Sequence, residues 1–262
     1  MIKKILKIYI VLTLLLALFF LTDSRTYILA KSAGYKTLKV FEYYKSTELS
    51  YTEGTINKPH FIMKNRGADE DTVEQIGNLL EKSYDLIGKE FDYYPNNKIP
   101  VFVYGSMEEF WKYNKALDGQ AIMGLYHMGV IHVVVPDAFD LTMEEYEFNG
   151  PVLHEYTHLI VDELTGGNVE LWFTEGMALY QEYNIYNTEW GKFANYEDDY
   201  TLEDLRSNFM ALDSNKAYRK AFLIVKDVYN KQGNKGVIDF LKELKSGKDF
   251  YETFMTLEHK IG

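Results

Sequence analysis

Residues 152–164 read Val-Leu-His-Glu-Tyr-Thr-His-Leu-Ile-Val-Asp-Glu-Leu, and the two histidines inside this apolar run decide how the rest of the chain is read. On an α-helix, residues four apart stand one turn above the other, so His154 and His158 can turn their imidazoles toward a single ion. Glu155 is rotated by about 100° from His154. It is badly placed to be a ligand and well placed to reach a water beside the ion, which is where a general base belongs. Thr165-Gly166-Gly167-Asn168 then stops the helix and turns the chain. A second helical segment, Leu171 to Tyr186, carries Trp172-Phe173-Thr174-Glu175-Gly176-Met177-Ala178. Helix, turn and helix return Glu175, 17 residues after His158, to the histidines. Two imidazoles and a carboxylate complete a three-ligand zinc site with a position left for water. The small residues Gly176 and Ala178 are expected to let these two helices approach closely.

Composition narrows the alternatives. The chain has no cysteine, which excludes thiolate zinc sites, disulfides and thiol catalysis, so any metal must sit on histidines and carboxylates. With 47% apolar and 16% aromatic residues among 262, it has ample material for a folded core. From residue 31 onward, 24 basic residues face 38 acidic ones. An acidic body repels phosphate backbones and gains nothing from counterion release, so nucleic acid is excluded as a partner.

The first 30 residues have a different character. Lys3, Lys4 and Lys7 precede an uncharged apolar run from Ile8 to Leu21, the pattern of an export signal. Residues 1–29 are read as an uncleaved N-terminal membrane helix, with Ala30-Lys31-Ser32 the alternative point of cleavage. Basic residues stay on the cytoplasmic side, which sends the rest of the chain to the outer face of the membrane. Residues 30–57 lack a clear period and are read as a linker or a loosely attached stalk helix. Residues 58–262 form the folded domain.

Within that domain, Pro59 to Lys64, Lys98 to Tyr104 and Val130 to Val135 have strand character, being β-branched and aromatic and bounded by glycine or proline. Between the first two, Val73, Ile76, Leu80, Tyr84 and Ile87 recur at helical spacing behind a capping aspartate, Asp69 or Asp71. Ser106 is placed to cap a short helix from Met107. From Thr142 onward helices dominate: Val152 to Leu164, Leu171 to Tyr186, Leu202 to Phe209, Tyr218 to Lys231 and Val237 to Leu244. The expected class is α+β, with a small mixed α/β upper lobe and a helical lower lobe.

His-Glu-Tyr-Thr-His followed by Leu-Trp-Phe-Thr-Glu-Gly-Met-Ala-Leu-Tyr-Gln-Glu-Tyr (residues 171–183) resembles the gluzincin metallopeptidases, and most of all the small bacterial peptidase-MA-like proteins. The resemblance spans Lys98 to Gly262 and leaves the first hundred residues uncovered. It implies a thermolysin-like zincin domain in which His154, His158 and Glu175 bind Zn2+ and Glu155 activates water. It further implies that Val130 to Val135 is an edge strand taking up an extended peptide by strand addition, and that Tyr218, from a later helix, steadies the oxyanion. Two departures stand out. Leu179 occupies the place, four residues after the ligand glutamate, where thermolysin-like enzymes carry a carboxylate behind a histidine. No glycine-x-methionine-glutamate-asparagine segment, the grip of related aminopeptidases on a free amine, precedes the motif. The expected activity is therefore endopeptidase cleavage of a peptide or protein substrate.

Other titratable residues carry less. His132, inside a strand, is read as structural. Asp162, four residues after His158, is either an orienter of a ligand or a carboxylate on the helix surface. The competing readings are a non-catalytic peptide-binding module of the cell envelope, and a tethered regulator in which residues 30–57 cover the site.

Overall fold

A computed structural model describes residues 24–49, 54–193 and 200–259. The reading of residues 1–29 as a membrane helix falls mostly outside these residues. Among the described residues no helix is long and apolar enough to cross a membrane.

The fold is mixed α+β. Helix α1 (Ser24–Tyr44) leads through a π-helical turn (Lys45–Leu49) to β1 (Thr55–Asn57), β2 (Phe61–Arg66), α2 (Glu70–Phe91), β3 (Ile99–Tyr104), α3 (Met107–Tyr113), β4 (Gly124–His127) and β5 (Val130–Val134). The remainder is helical: α4 (Met143–Asn149), α5 (Val152–Thr165), α6 (Leu171–Tyr186), α7 (Leu202–Asn208), α8 (Ser214–Lys245) and α9 (Phe250–His259). The expected caps form. Asp69 accepts from the Thr72 N–H and Ser106 from the Glu109 N–H, each satisfying a donor that a helix start leaves open. Helix α8 is broken at Gly233, whose φ of 66° and ψ of 172° no helix residue adopts, so it consists of two helical segments, one on each side of this glycine, as expected from the sequence.

The sheet has the order β1-β2-β3-β5-β4. β2, β3 and β5 are parallel, while β1 and β4 run antiparallel on the two rims. Two sequence readings are corrected here. Val130 to Val134 is not the edge strand, because β5 lies between β3 and β4; the rim is the four-residue β4. The sheet also begins at Thr55, inside the stretch read as linker.

One face of the sheet, with Phe61, Met63, Val101, Ile131 and Val133, packs into the main core with α2 and α5. Val130 and Val134 point the other way, into a smaller core with Phe102, Tyr104 and Phe110. His132 shares that outer face by strand alternation. Its Nδ1 lies 2.9 Å from the Tyr104 hydroxyl and its ring stacks on Phe102. Burial pushes its pKa down to about 3, so it is a neutral packing residue on the side of the sheet away from α5.

Below the sheet, α5, α6 and α8 pack side by side. Gly176 is needed here, but not where the sequence suggested. A Cβ at this position would come 2.5 Å from the Ala221 carbonyl oxygen and 2.7 Å from Val225 Cγ2. The close approach is between α6 and α8. Its effect is to bring Tyr218, one turn before Ala221 on α8, up to the carboxylate of Glu175.

Candidate metal centre

Helix α5 is almost wholly buried, with Leu153, Tyr156, Ile160 and Val161 in the core. This fixes its rotation and leaves His154, Glu155 and His158 facing a cleft of about 750 Å³ that they line together with Glu175 and Tyr218. Helix α5 ends at Gly166, left-handed at φ 65°, whose N–H bonds the Asp162 carbonyl. The chain then reverses into α6, which presents Glu175.

One ligand atom each from His154, His158 and Glu175 lies within 4.8 Å of the others. Glu175 Oε2 is 3.2 Å from His154 Nε2 and 3.5 Å from His158 Nε2. Atoms bound tetrahedrally to zinc at about 2.0–2.1 Å stand roughly 3.3 Å apart, so both distances match that geometry. The other ring nitrogens are engaged: His154 Nδ1 is 2.9 Å from Glu182 Oε1, and His158 Nδ1 is 2.8 Å from Thr174 Oγ1. When both Nδ1 atoms donate to these acceptors, a cation that displaces the proton from Nε2 finds the Nε2 lone pairs of both rings beside the Glu175 carboxylate.

The electrostatics also suit a cation. Glu155, Glu175 and Glu182 border the two imidazoles, and no lysine or arginine is among the described residues lining the cleft. Burial works against a charge on His154, but the carboxylates of Glu182 and Glu175 outweigh it and hold its pKa well above the ordinary value. Burial likewise opposes the charged form of Glu175, yet His158 and His154 hold its pKa far below the usual carboxylate range. A positive charge among these rings is thus compensated before any ion arrives, and the residues present fit a divalent metal.

Glu155 is also buried, and burial is the main cause of its raised pKa. The backbone N–H of Tyr126, on the rim strand β4, faces its carboxylate. Gly124 makes this proximity possible, since a Cβ there would stand 2.5 Å from Pro151 Cβ and 2.8 Å from Glu155 Cγ. Gly124→Ala is expected to push β4 off α5, destabilising the fold by about 1–3 kcal/mol as overpacking does. Urea unfolding of the full chain checks this.

Of the residues expected from the sequence, His154, His158, Glu155 and Glu175 come together as anticipated. Tyr218 lines the same cleft, and burial, then the charges of Glu175 and Glu155, push its pKa up. Asp162 does not orient His158; it bonds Lys39 and Tyr126. Glu182 was missed. It answers the departure at Leu179, because seven residues beyond Glu175 is two helical turns and therefore the same face of α6. A scan for acidic residues at that second spacing would have found it.

No protein-family model matches the chain, and no curated protein matches it in sequence.

Proposed function

We propose that the protein is a zinc-dependent endopeptidase of gluzincin type with a thermolysin-like arrangement, anchored by its N-terminal segment with the catalytic body on the outer side of the membrane. The observation that carries this reading is the convergence of His154 Nε2, His158 Nε2 and one Glu175 oxygen, with Glu155 on the same cleft wall. Zinc, when bound by these three side chains, supplies a Lewis acid that polarises the peptide carbonyl and acidifies water.

The remaining work falls to the chain. Glu155 takes the proton from the attacking water and delivers it to the leaving amine as the C–N bond breaks. Tyr218 donates its hydroxyl to the oxygen on which negative charge develops. Glu182 and Thr174 hold the imidazoles in the tautomer that keeps each Nε2 free. The rim strand β4, rather than Val130 to Val134, offers its unpaired edge to an extended substrate.

Elemental analysis and a protease assay on casein, run on the same preparation, test the reading. About one zinc per chain with cleavage supports it. Zinc without cleavage of any peptide would favour a binding module, and a folded protein free of zinc would sink the proposal. Glu182→Ala is expected to weaken zinc binding by about 10–100-fold while leaving turnover at saturating zinc nearly intact. Competition with a chromophoric chelator measures the first part.

A further inference from the structure

Helix α1 spans the end of the segment read as a membrane helix (residues 1–29) and the first part of the stretch read as a linker or a loosely attached stalk helix (residues 30–57), and one stripe of it is docked. Ile28, Ser32, Tyr35, Lys39 and Glu42, spaced by four and three residues, are partly buried, and the positions between them are exposed. The Ser32 hydroxyl donates to the Gly166 carbonyl at 2.5 Å. Lys39 Nζ lies 2.6 Å from Asp162 Oδ2 and 2.6 Å from Glu163 Oε1. The Tyr35 ring rests on Gly167, where a Cβ would come within 2.5 Å of its Cδ1. Gly167 also has a φ of +77°, so glycine is required there on two counts.

This docking reaches the substrate cleft. Tyr35 lines it together with His158, Thr174, Gly167, Val169 and Leu171. Asp162, one turn beyond His158, receives both the Lys39 ammonium of α1 and the Tyr126 hydroxyl of β4. Tyr126 in turn accepts the Gly129 N–H at 3.0 Å, at the turn of the β4–β5 hairpin. One buried carboxylate therefore ties α1 to the rim strand.

We propose that α1 is part of the substrate site and that Tyr35 is a specificity-determining residue, forming the wall of a subsite on the His158 side of the metal. The inference rests on the peptidase reading above. The subsite takes an apolar side chain of limited size, since the Tyr35 ring, Gly167, Val169 and Leu171 form its walls, the one carboxylate beside them, Asp162, is already engaged by Lys39 and Tyr126, and no lysine or arginine is among the described lining residues to hold an acidic side chain. Lys39 and Asp162 are positioning residues that hold this wall and the rim strand in register.

Two measurements on the full-length chain test the proposal. The first compares wild type with Tyr35→Ala on peptides differing only in the size of one apolar residue. The variant should keep its zinc and shift kcat/KM toward the aromatic peptide by about tenfold or more, the scale that pocket size commands, chiefly through KM. The second uses the absence of native cysteine: Tyr35→Cys and Thr37→Cys each supply a single thiol, the latter at an exposed position outside the stripe. A peptidyl hydroxamate, which chelates zinc and fills the cleft, should slow alkylation severalfold at position 35 and leave position 37 unchanged. If calorimetry shows the hydroxamate bound to wild type while alkylation at position 35 or the peptide preference is unaltered, the proposal is overturned. Failure of the hydroxamate to bind zinc-loaded wild type would instead overturn the peptidase reading beneath it.

Discussion

Replacing Glu155 by glutamine is expected to abolish proteolysis while leaving one zinc per chain in place. The glutamine side chain has nearly the same shape, so the contacts that Gly124 and Pro151 impose on this buried position survive. What disappears is the ability to accept a proton from water and pass it to the leaving amine. General acid–base catalysis of this kind contributes about 10²–10⁴-fold, and Glu155 performs both transfers, so the expected loss lies at the upper end. Because the ligands are untouched, zinc content and thermal stability should stay near wild type. The check is steady-state cleavage of casein or a quenched peptide beside elemental analysis of the same sample. Full activity in a zinc-loaded Glu155→Gln preparation would mean that another group is the base.

Glu175→Ala is expected to fail differently, losing the metal and the activity together. It deletes one of three ligand atoms and removes the carboxylate oxygen that lies 3.2 Å and 3.5 Å from the two imidazoles. The loss in zinc affinity should exceed the roughly 10–100-fold expected when a supporting partner such as Glu182 is removed. Glu175→Gln, which retains a neutral oxygen in the same place, should fall between alanine and wild type. Ordered affinities of wild type above Gln above Ala, measured against a chelator, would support direct ligation. Equal zinc content in all three would remove Glu175 from the site.

These expectations draw on information that became readable at different levels. The two histidines, the candidate base between them and the returning glutamate follow from local spacing: residues four apart share a helix face, and a glycine pair marks the turn between α5 and α6. Helix starts at Asp69 and Ser106 were readable for the same reason, because a cap is a contact between residues three apart. Glu182 was also within local reach, as it lies on the same face of the same helix as Glu175.

Other features depend on contacts between residues far apart in the chain. Which strand forms the rim is a matter of sheet order, and β4 has only four residues and opens with a glycine, too weak a pattern to announce a strand. The bond from Lys39 to Asp162 spans 123 positions, and nothing in the composition around either residue signals the other. The role of Gly176 shows the same limit: its smallness was visible, but the helix it accommodates is α8.

The sequence by itself thus determined the candidate ligand set, the candidate base and the succession of strands followed by helices, since each of these rests on spacing within one helix or across one turn. Only the tertiary structure decided which strand edge faces Glu155, which helix Gly176 accommodates and that α1 walls the cleft. Those depend on how whole elements pack, and the free energy of packing is set by partners that local patterning does not name.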